Sequence, residues 1–220
     1  MFNFDGYLNT VLGGALITIE VALLSLALAV FFGILGALAK LSKNPVARGV
    51  AVSYTTIIRS VPDLVLMLLI YFGGQVLINN LALAVGYQDY IEISPFASGV
   101  STIGFIFGAY LTETFRGAII AVPKGQLEAG ESLGMSRSQV LRRILFPLMM
   151  RYALPGFGNN WLVLLKTTAL VSVIGLDDMV RKASLAAGAT QKPFSFYLLV
   201  AVVFLVFTTI STLLLQWAEQ

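Results

Sequence analysis

PFSFYLLVAVVFLVFTTISTLLLQWA, from Pro193 to Ala218, runs for 26 residues without an ionisable side chain. A bilayer core is crossed by about 20 apolar residues wound as a helix. Backbone groups in lipid must find their hydrogen bonds inside the segment, so this run reads as a transmembrane helix. Toward the N-terminus, Val21–Ala39, Leu64–Gln88 and Ile93–Thr112 are also uncharged, and Tyr152–Leu176 is interrupted only by Lys166. The alternation of a membrane barrel strand is absent. The reading is an all-α membrane protein with five spans, near Leu12–Leu38, Tyr54–Leu81, Phe96–Ile119, Pro155–Leu176 and Phe194–Trp217. No repeat or linker marks a second unit, so residues 1–220 are expected to form one membrane domain.

Composition agrees. Of 220 residues, 58% are hydrophobic and only 11% charged, with a mean hydropathy of +0.88. Soluble domains carry roughly a quarter charged residues, so too few remain here to cover a water-facing globule. There is no cysteine and no histidine, which removes disulfides, zinc-finger sites and His-based catalysis. No metal site and no catalytic residues are expected. No G-x-x-x-x-G-K-[ST] occurs, so the chain does not bind ATP through a P-loop. The net charge is +3, but the basic residues are scattered through connections, which gives no support to nucleic-acid binding. A cleavable signal peptide is not expected, because the first eleven residues hold Asp5 and no Lys or Arg.

Charge also orients the chain. Lys40, Lys43, Arg48, Lys124, Arg137, Arg142, Arg143 and Arg151 follow spans one and three. Arg181, Lys182 and Lys192 lie on the other side, diluted by Asp177 and Asp178. Lys and Arg favour the cytoplasm. The connection 120–154 is therefore expected inside, with the N-terminus outside and the C-terminus inside.

That connection contains KGQLEAGESLGMSRSQVLRRILFP, Lys124–Pro147. Gln126–Leu133 predicts a short helix, and Gly134 supplies the left-handed residue past its end. Ser136 with Gln139 forms a capping-box pattern, so a second helix is expected from there to Phe146. Pro147 and Pro155 would mark re-entry into the membrane. Leu127, Leu133, Val140, Leu141, Ile144 and Leu145 offer apolar contacts to such a knob. It could dock in a groove of another protein, or lie on anionic lipid.

The segment resembles the EAA motif of binding-protein-dependent importer permeases. Glu128, Ala129, Gly134, Ile144 and Pro147 match it at the family spacing, and Gly130 replaces its second alanine. Tyr54–Gly73, Gly108–Ile119, Ala121–Ala129 and Gly158–Leu176 resemble the polar-amino-acid branch of those permeases, nearest to membrane subunits of histidine/lysine/arginine/ornithine and opine importers. The resemblance implies a type I, MetI-like permease fold in a bacterial inner membrane. It implies a coupling helix in which Glu128, Ala129, Gly130, Gly134, Arg142, Ile144 and Pro147 meet an ATPase. It also implies the partners: a second permease subunit (paralogue or same chain), two ATPase subunits carrying ATP and Mg, and an extracytoplasmic amino-acid-binding protein. No cofactor would sit on this chain, and it would not be an enzyme. The implied function is ATP-driven import of polar, basic amino acids by alternating access.

Charges inside the spans are the other candidates. Glu20, Arg59, Asp63, Glu113, Arg116 and Lys166 stand in membrane-length segments, at roughly 2.5–3.5 kcal/mol each if placed at a helix centre. Arg59/Asp63 (i,i+4) and Glu113/Arg116 (i,i+3) can share a helix face as structural or gating ion pairs. Glu20 either bonds to a neighbouring span or joins Asp63 and Glu113 in attracting a cationic side chain. Lys166 could meet a substrate carboxylate or pair with Glu113; the resemblance favours a general structural or transport role for it. Gly104 and Gly108 predict a close helix crossing, and Gly33/Gly36 a weaker one. Two other classes stay open on residues alone: an ion-coupled secondary transporter using Glu20, Asp63 and Glu113, which the missing inverted repeat disfavours, and a non-transport assembly subunit. Within the importer family a different amino-acid specificity also remains open.

Overall fold

The computed structural model describes Phe4 and residues 6–219; Asp5 lies outside them. Every described element is helical: α1 (Leu8–Leu41), α2 (Pro45–Ser60), α3 (Asp63–Ala84), α4 (Pro95–Ala121), α5 (Lys124–Ser132), α6 (Arg137–Val140), α7 (Phe146–Thr167), α8 (Met179–Thr190) and α9 (Pro193–Glu219). Among the described residues, five helical stretches are long and apolar enough to span a membrane: α1, α3, α4, the continuous helix Arg137–Ile174, and α9.

Three boundaries differ from the sequence reading. The second span does not run from Tyr54 to Leu81, because the chain breaks at Val61–Pro62. Proline disfavours the helical region for the residue before it, and Val61 is extended at φ −105°, ψ 138°. The span is therefore α3 alone, with Asp63 at its first turn. Upstream of the break, α2 starts on Pro45 and is capped by the Asn44 side chain, which accepts from Val46 N at 2.9 Å.

The fourth span does not begin at Pro155. The helix that starts at Arg137 continues unbroken through Pro147 and Pro155 to Ile174. A proline removes one i→i−4 bond and crowds the carbonyl four residues back. Here the turn before Pro147 widens into a π segment over Leu141–Leu145, with Phe146 N bonding to Leu141 O. The far end tightens into 3₁₀ over Thr168–Ile174 and stops at Gly175, φ +95°. Third, the connection after this span holds α8.

The centre is α4. Two-thirds of its apolar window is buried, against 6% for α9 and 11% for α3, so α3 and α9 show most of their surface outward. Ile103, Ile106, Phe107 and Leu111 of α4 pack with Val21, Ala22 and Ala29 of α1 and with Leu164 and Leu165 of α7. A second cluster joins Val11 and Ala15 of α1 to Met179, Ala183 and Phe196. The α1–α4 seam is built on glycine. A Cβ on Gly104 would stand 2.6 Å from Leu28 Cβ, one on Gly108 2.6 Å from Phe32 Cβ, and one on Gly33 2.7 Å from Leu111 Cβ. Gly36 abuts Thr112 even more tightly. Gly33 and Gly36 therefore belong to the crossing as fully as the α4 pair does. Tyr54 Oη donates to Phe105 O at 2.5 Å and ties α2 to the same helix.

Candidate coupling element and membrane charges

α4 ends at Val122–Pro123, and α5 turns out of the bundle. Its exit is a glycine turn: Leu133 N bonds to Ala129 O, Gly134 N to Glu131 O and Met135 N to Gly130 O, with Gly134 at φ +79°. The capping box then starts the next helix, Ser136 N donating to Gln139 Oε1 at 2.8 Å and Gln139 N to Ser136 Oγ at 3.4 Å. Gly130 is buried in the angle between the two helices. A Cβ there would lie 2.5 Å from Ile144 Cδ1, 3.3 Å from Met135 Sδ and 3.4 Å from Val140. Two motif positions, Gly130 and Ile144, thus meet in space, and the departure from alanine is matched by the isoleucine tip that fills the gap. The turn carries its apolar side chain outward: Leu133 is 85% exposed. Glu128, Ala129, Arg142 and Pro147 are also exposed. Val140 is buried, so it holds the elbow together and is withdrawn from the expected docking contacts. The second short helix expected to end at Phe146 is the first part of the fourth span, so the element is α5 plus the foot of a helix that crosses the membrane.

The membrane charges sort into three groups. Glu113 is held twice: it accepts from Arg116 Nε at 2.9 Å, as its spacing predicted, and from Lys40 Nζ of α1. The side chains of Lys40 and Glu113 are only 11% and 21% exposed. With two cations on it, Glu113 is a clasp between α1 and α4. Lys166 does not pair with it among the described residues.

Arg59 and Asp63 form no ion pair among the described residues, because the Pro62 break places them on different helices. Arg59 instead lies over the Tyr110 ring, 5.3 Å from its centroid, a cation–π contact. Asp63 sits in the first turn of α3, where the helix dipole favours an anion. Glu20 and Lys166 are both exposed and have no ion-pair partner among the described residues.

Asp178 was counted in the sequence only as a diluting charge. It is fully buried, caps α8 by accepting from Arg181 N at 2.9 Å, and leaves its Oδ2 without a hydrogen-bond partner among the described residues. Burial pushes this carboxyl up to about 6, only partly opposed by its hydrogen bonds to backbone N–H groups and by the Arg181 charge. It is wedged against α1, where a Cβ on Gly14 would come within 2.8 Å of the Asp178–Met179 backbone. Asn79 and Gln75 of α3 pin the loop that follows it: Ile91 N donates to Asn79 Oδ1 at 2.9 Å and Ile93 N to Gln75 Oε1 at 2.8 Å.

Five membrane-length helices, with α5 and its glycine turn set between the third and the fourth, fit a membrane transport subunit. The match to known proteins makes the class specific. Residues 11–220 fit the family model described as binding-protein-dependent transport system inner membrane component, and the chain belongs to that family. It is 52% identical over 215 residues to the histidine/lysine/arginine/ornithine transport system permease protein HisQ of Escherichia coli, covering 98% of this chain and 94% of that one. It is 41% identical over 218 residues to the octopine transport system permease protein OccQ of Rhizobium radiobacter, covering 99% and 92%. The crystal structure of an amino acid ABC transporter with histidines superposes with a TM-score of 0.81 at 34% identity, over 97% of this chain and 94% of that one. The chain is thus a permease subunit of an ABC importer with the type I fold, and its ATPase is a separate subunit. This removes the ion-coupled transporter and the assembly subunit from consideration.

Proposed function

We propose that this chain moves basic amino acids of the arginine, histidine, lysine and ornithine class across the inner membrane, as one half of a pore completed by a second permease subunit. The 52% identity to HisQ over nearly the whole chain supports the class of substrate. Residues 1–220 act as one membrane domain. The N-terminus faces the periplasm, and α5 and the C-terminus face the cytoplasm, as the Lys and Arg distribution favours. Two ATPase subunits, carrying ATP and Mg, dock on α5 and its glycine turn. A binding protein delivers substrate to the outer loops.

The observation that carries the coupling proposal is Leu133, 85% exposed on a rigid glycine turn, with Gly130 packed on Ile144 beneath it. An exposed apolar tip on a hydrogen-bonded turn offers a contact to a groove on a partner. Glu128 and Ala129 lie about one turn before it on α5, Gly134 sets the turn, and Arg142, Ile144 and Pro147 follow on the continuous helix. Because α6 runs into the span without a joint, a push on this elbow tilts the whole fourth helix. Lys166 and Asp63 are the charges left to face the transport path, Lys166 because it is exposed in a span and an isolated ammonium is costly in lipid. Glu20 faces outward from α1 and needs a polar partner there.

The test is uptake of radiolabelled arginine and histidine into vesicles holding the whole importer, together with ATPase co-purification. Replacing Glu128 with Ala or Leu133 with Asp is expected to lower both in parallel. Uptake kept at the wild-type rate without a bound ATPase would reject the proposal. Uptake confined to neutral or acidic amino acids would reject the substrate class alone.

A further inference from the structure

The walls of α1, α4 and the α6–α7 helix enclose a groove of about 580 Å³ with an almost wholly apolar lining. Ile34, Leu38, Ile119, Leu141, Met149 and Phe157 are among the residues that line it. Leu38 lies near the end of α1 at Leu41, Ile119 near the end of α4 at Ala121, and Leu141 near the start of the helix at Arg137. The groove therefore opens at the end of the bundle that carries α5. Its walls are membrane spans, so the medium that reaches it is hydrocarbon. Its volume is roughly twenty water-sized units of ~30 Å³, enough for one long acyl chain. Methionine and phenylalanine side chains suit a flexible occupant.

Charge narrows the occupant. Arg142 and Arg143 directly follow Leu141, are exposed, and make no ion pair among the described residues. Arg142 and Arg143 lie in the π segment between the groove residues Leu141 and Leu145, beside the groove and outside its apolar lining. A guanidinium at the end of an apolar slot fits a phosphate on an acyl chain, and basic pockets between spans recognise anionic head groups. We propose that this groove is a binding site for one anionic phospholipid, its chain between α1 and α7 and its phosphate on Arg142 and Arg143. The site touches the π segment over Leu141–Leu145, in the helix that runs from the coupling element into the fourth span.

The test uses the purified importer with all its subunits, in detergent with added phosphatidylglycerol or phosphatidylcholine, read by native mass spectrometry. The wild type is expected to keep one phosphatidylglycerol with roughly tenfold or greater preference, the order expected from two basic contacts. R142Q/R143Q is expected to abolish the preference. Ile34→Trp, at a position 46% exposed on the groove rim, is expected to weaken retention of both lipids, and Leu38→Trp, at a position 57% exposed, repeats the test if the first variant does not assemble. Equal retention of the two lipids by the wild type would overturn the proposal. So would full retention in the filled variants, or a cross-link from Ile34→Cys to the second permease that shows protein in the groove. Lipid retention is read without transport, so its failure leaves the import reading standing.

Discussion

Gly130 shows how one residue joins sequence motif to mechanism. Alanine there would regain up to about 1 kcal/mol of helix propensity, but its Cβ would meet Ile144 Cδ1 at 2.5 Å. The obstacle is the tip of a flexible side chain, and shifting it costs about the same amount. Gly130→Ala is therefore expected to change thermal stability by less than about 1 kcal/mol and to keep ATPase binding. Gly130→Leu is expected to lose the ATPase, because it forces the elbow open; co-purification measures both. Asp178 makes a different prediction. Its folded-state carboxyl titrates near 6, above the ordinary 3.8. Between roughly pH 4 and 6 the folded state keeps a proton that the unfolded chain has lost, so stability falls as pH rises through that window. The loss is at most about 3 kcal/mol. Asp178→Asn keeps a capping oxygen and is expected to flatten that part of the profile, measured as the difference in unfolding midpoint between variant and wild type. A profile that keeps the wild-type slope would show that the carboxyl ionises normally. Lys40 and Asp178 were not legible as site residues in the sequence. Lys40 meets a carboxylate 73 positions away, and nothing local marks a connecting Asp as buried. The Glu113–Arg116 pair was legible because three residues on a helix face are neighbours whatever the fold.

Among the elements, the α1–α4 seam and the clasp across it carry most of the consequences. Within α4 two glycines predict opposite outcomes. Gly104→Ala places a methyl against Leu28 and the Ser25 carbonyl, and is expected to cost about 1–3 kcal/mol. Gly117 has nothing within 4 Å of a new Cβ, so Gly117→Ala is expected to be neutral or to gain up to about 1 kcal/mol. Thermal unfolding of the purified importer orders the two. Lys40→Met and Glu113→Gln are each expected to destabilise by about 1–3 kcal/mol, and the double variant by less than their sum. Full additivity would mean that the clasp is not a working contact. Glu113→Gln is thus expected to lower uptake only as far as it lowers assembly. The break after Val61 was written in the sequence by Pro62, and the uncharged run itself begins only at Leu64; the expected span was carried back to Tyr54 across both the proline and the charges Arg59 and Asp63. Conversely, Pro147 and Pro155 read as helix ends, while the bundle kept the helix whole by widening one turn into a π segment. Gly134 and the Ser136–Gln139 box were read correctly because caps are local chemistry.

On the scale of the whole molecule, five spans were legible because lipid imposes one rule on every residue it touches. What periodicity could not supply is which spans stand at the centre. α4 is enclosed while α3 and α9 face outward, and the two outward spans are the more hydrophobic. The same limits apply to direction across the membrane, which rests on counted Lys and Arg. Both the direction and the coupling role meet at Leu133. The chain has no cysteine, so Leu133→Cys is a single reporter for an impermeant maleimide applied to intact and to permeabilised cells. Labelling is predicted only after permeabilisation, and it is predicted to be blocked when the ATPase subunits are bound. Labelling of intact cells from outside, or labelling from inside that the ATPase does not alter, would contradict the account.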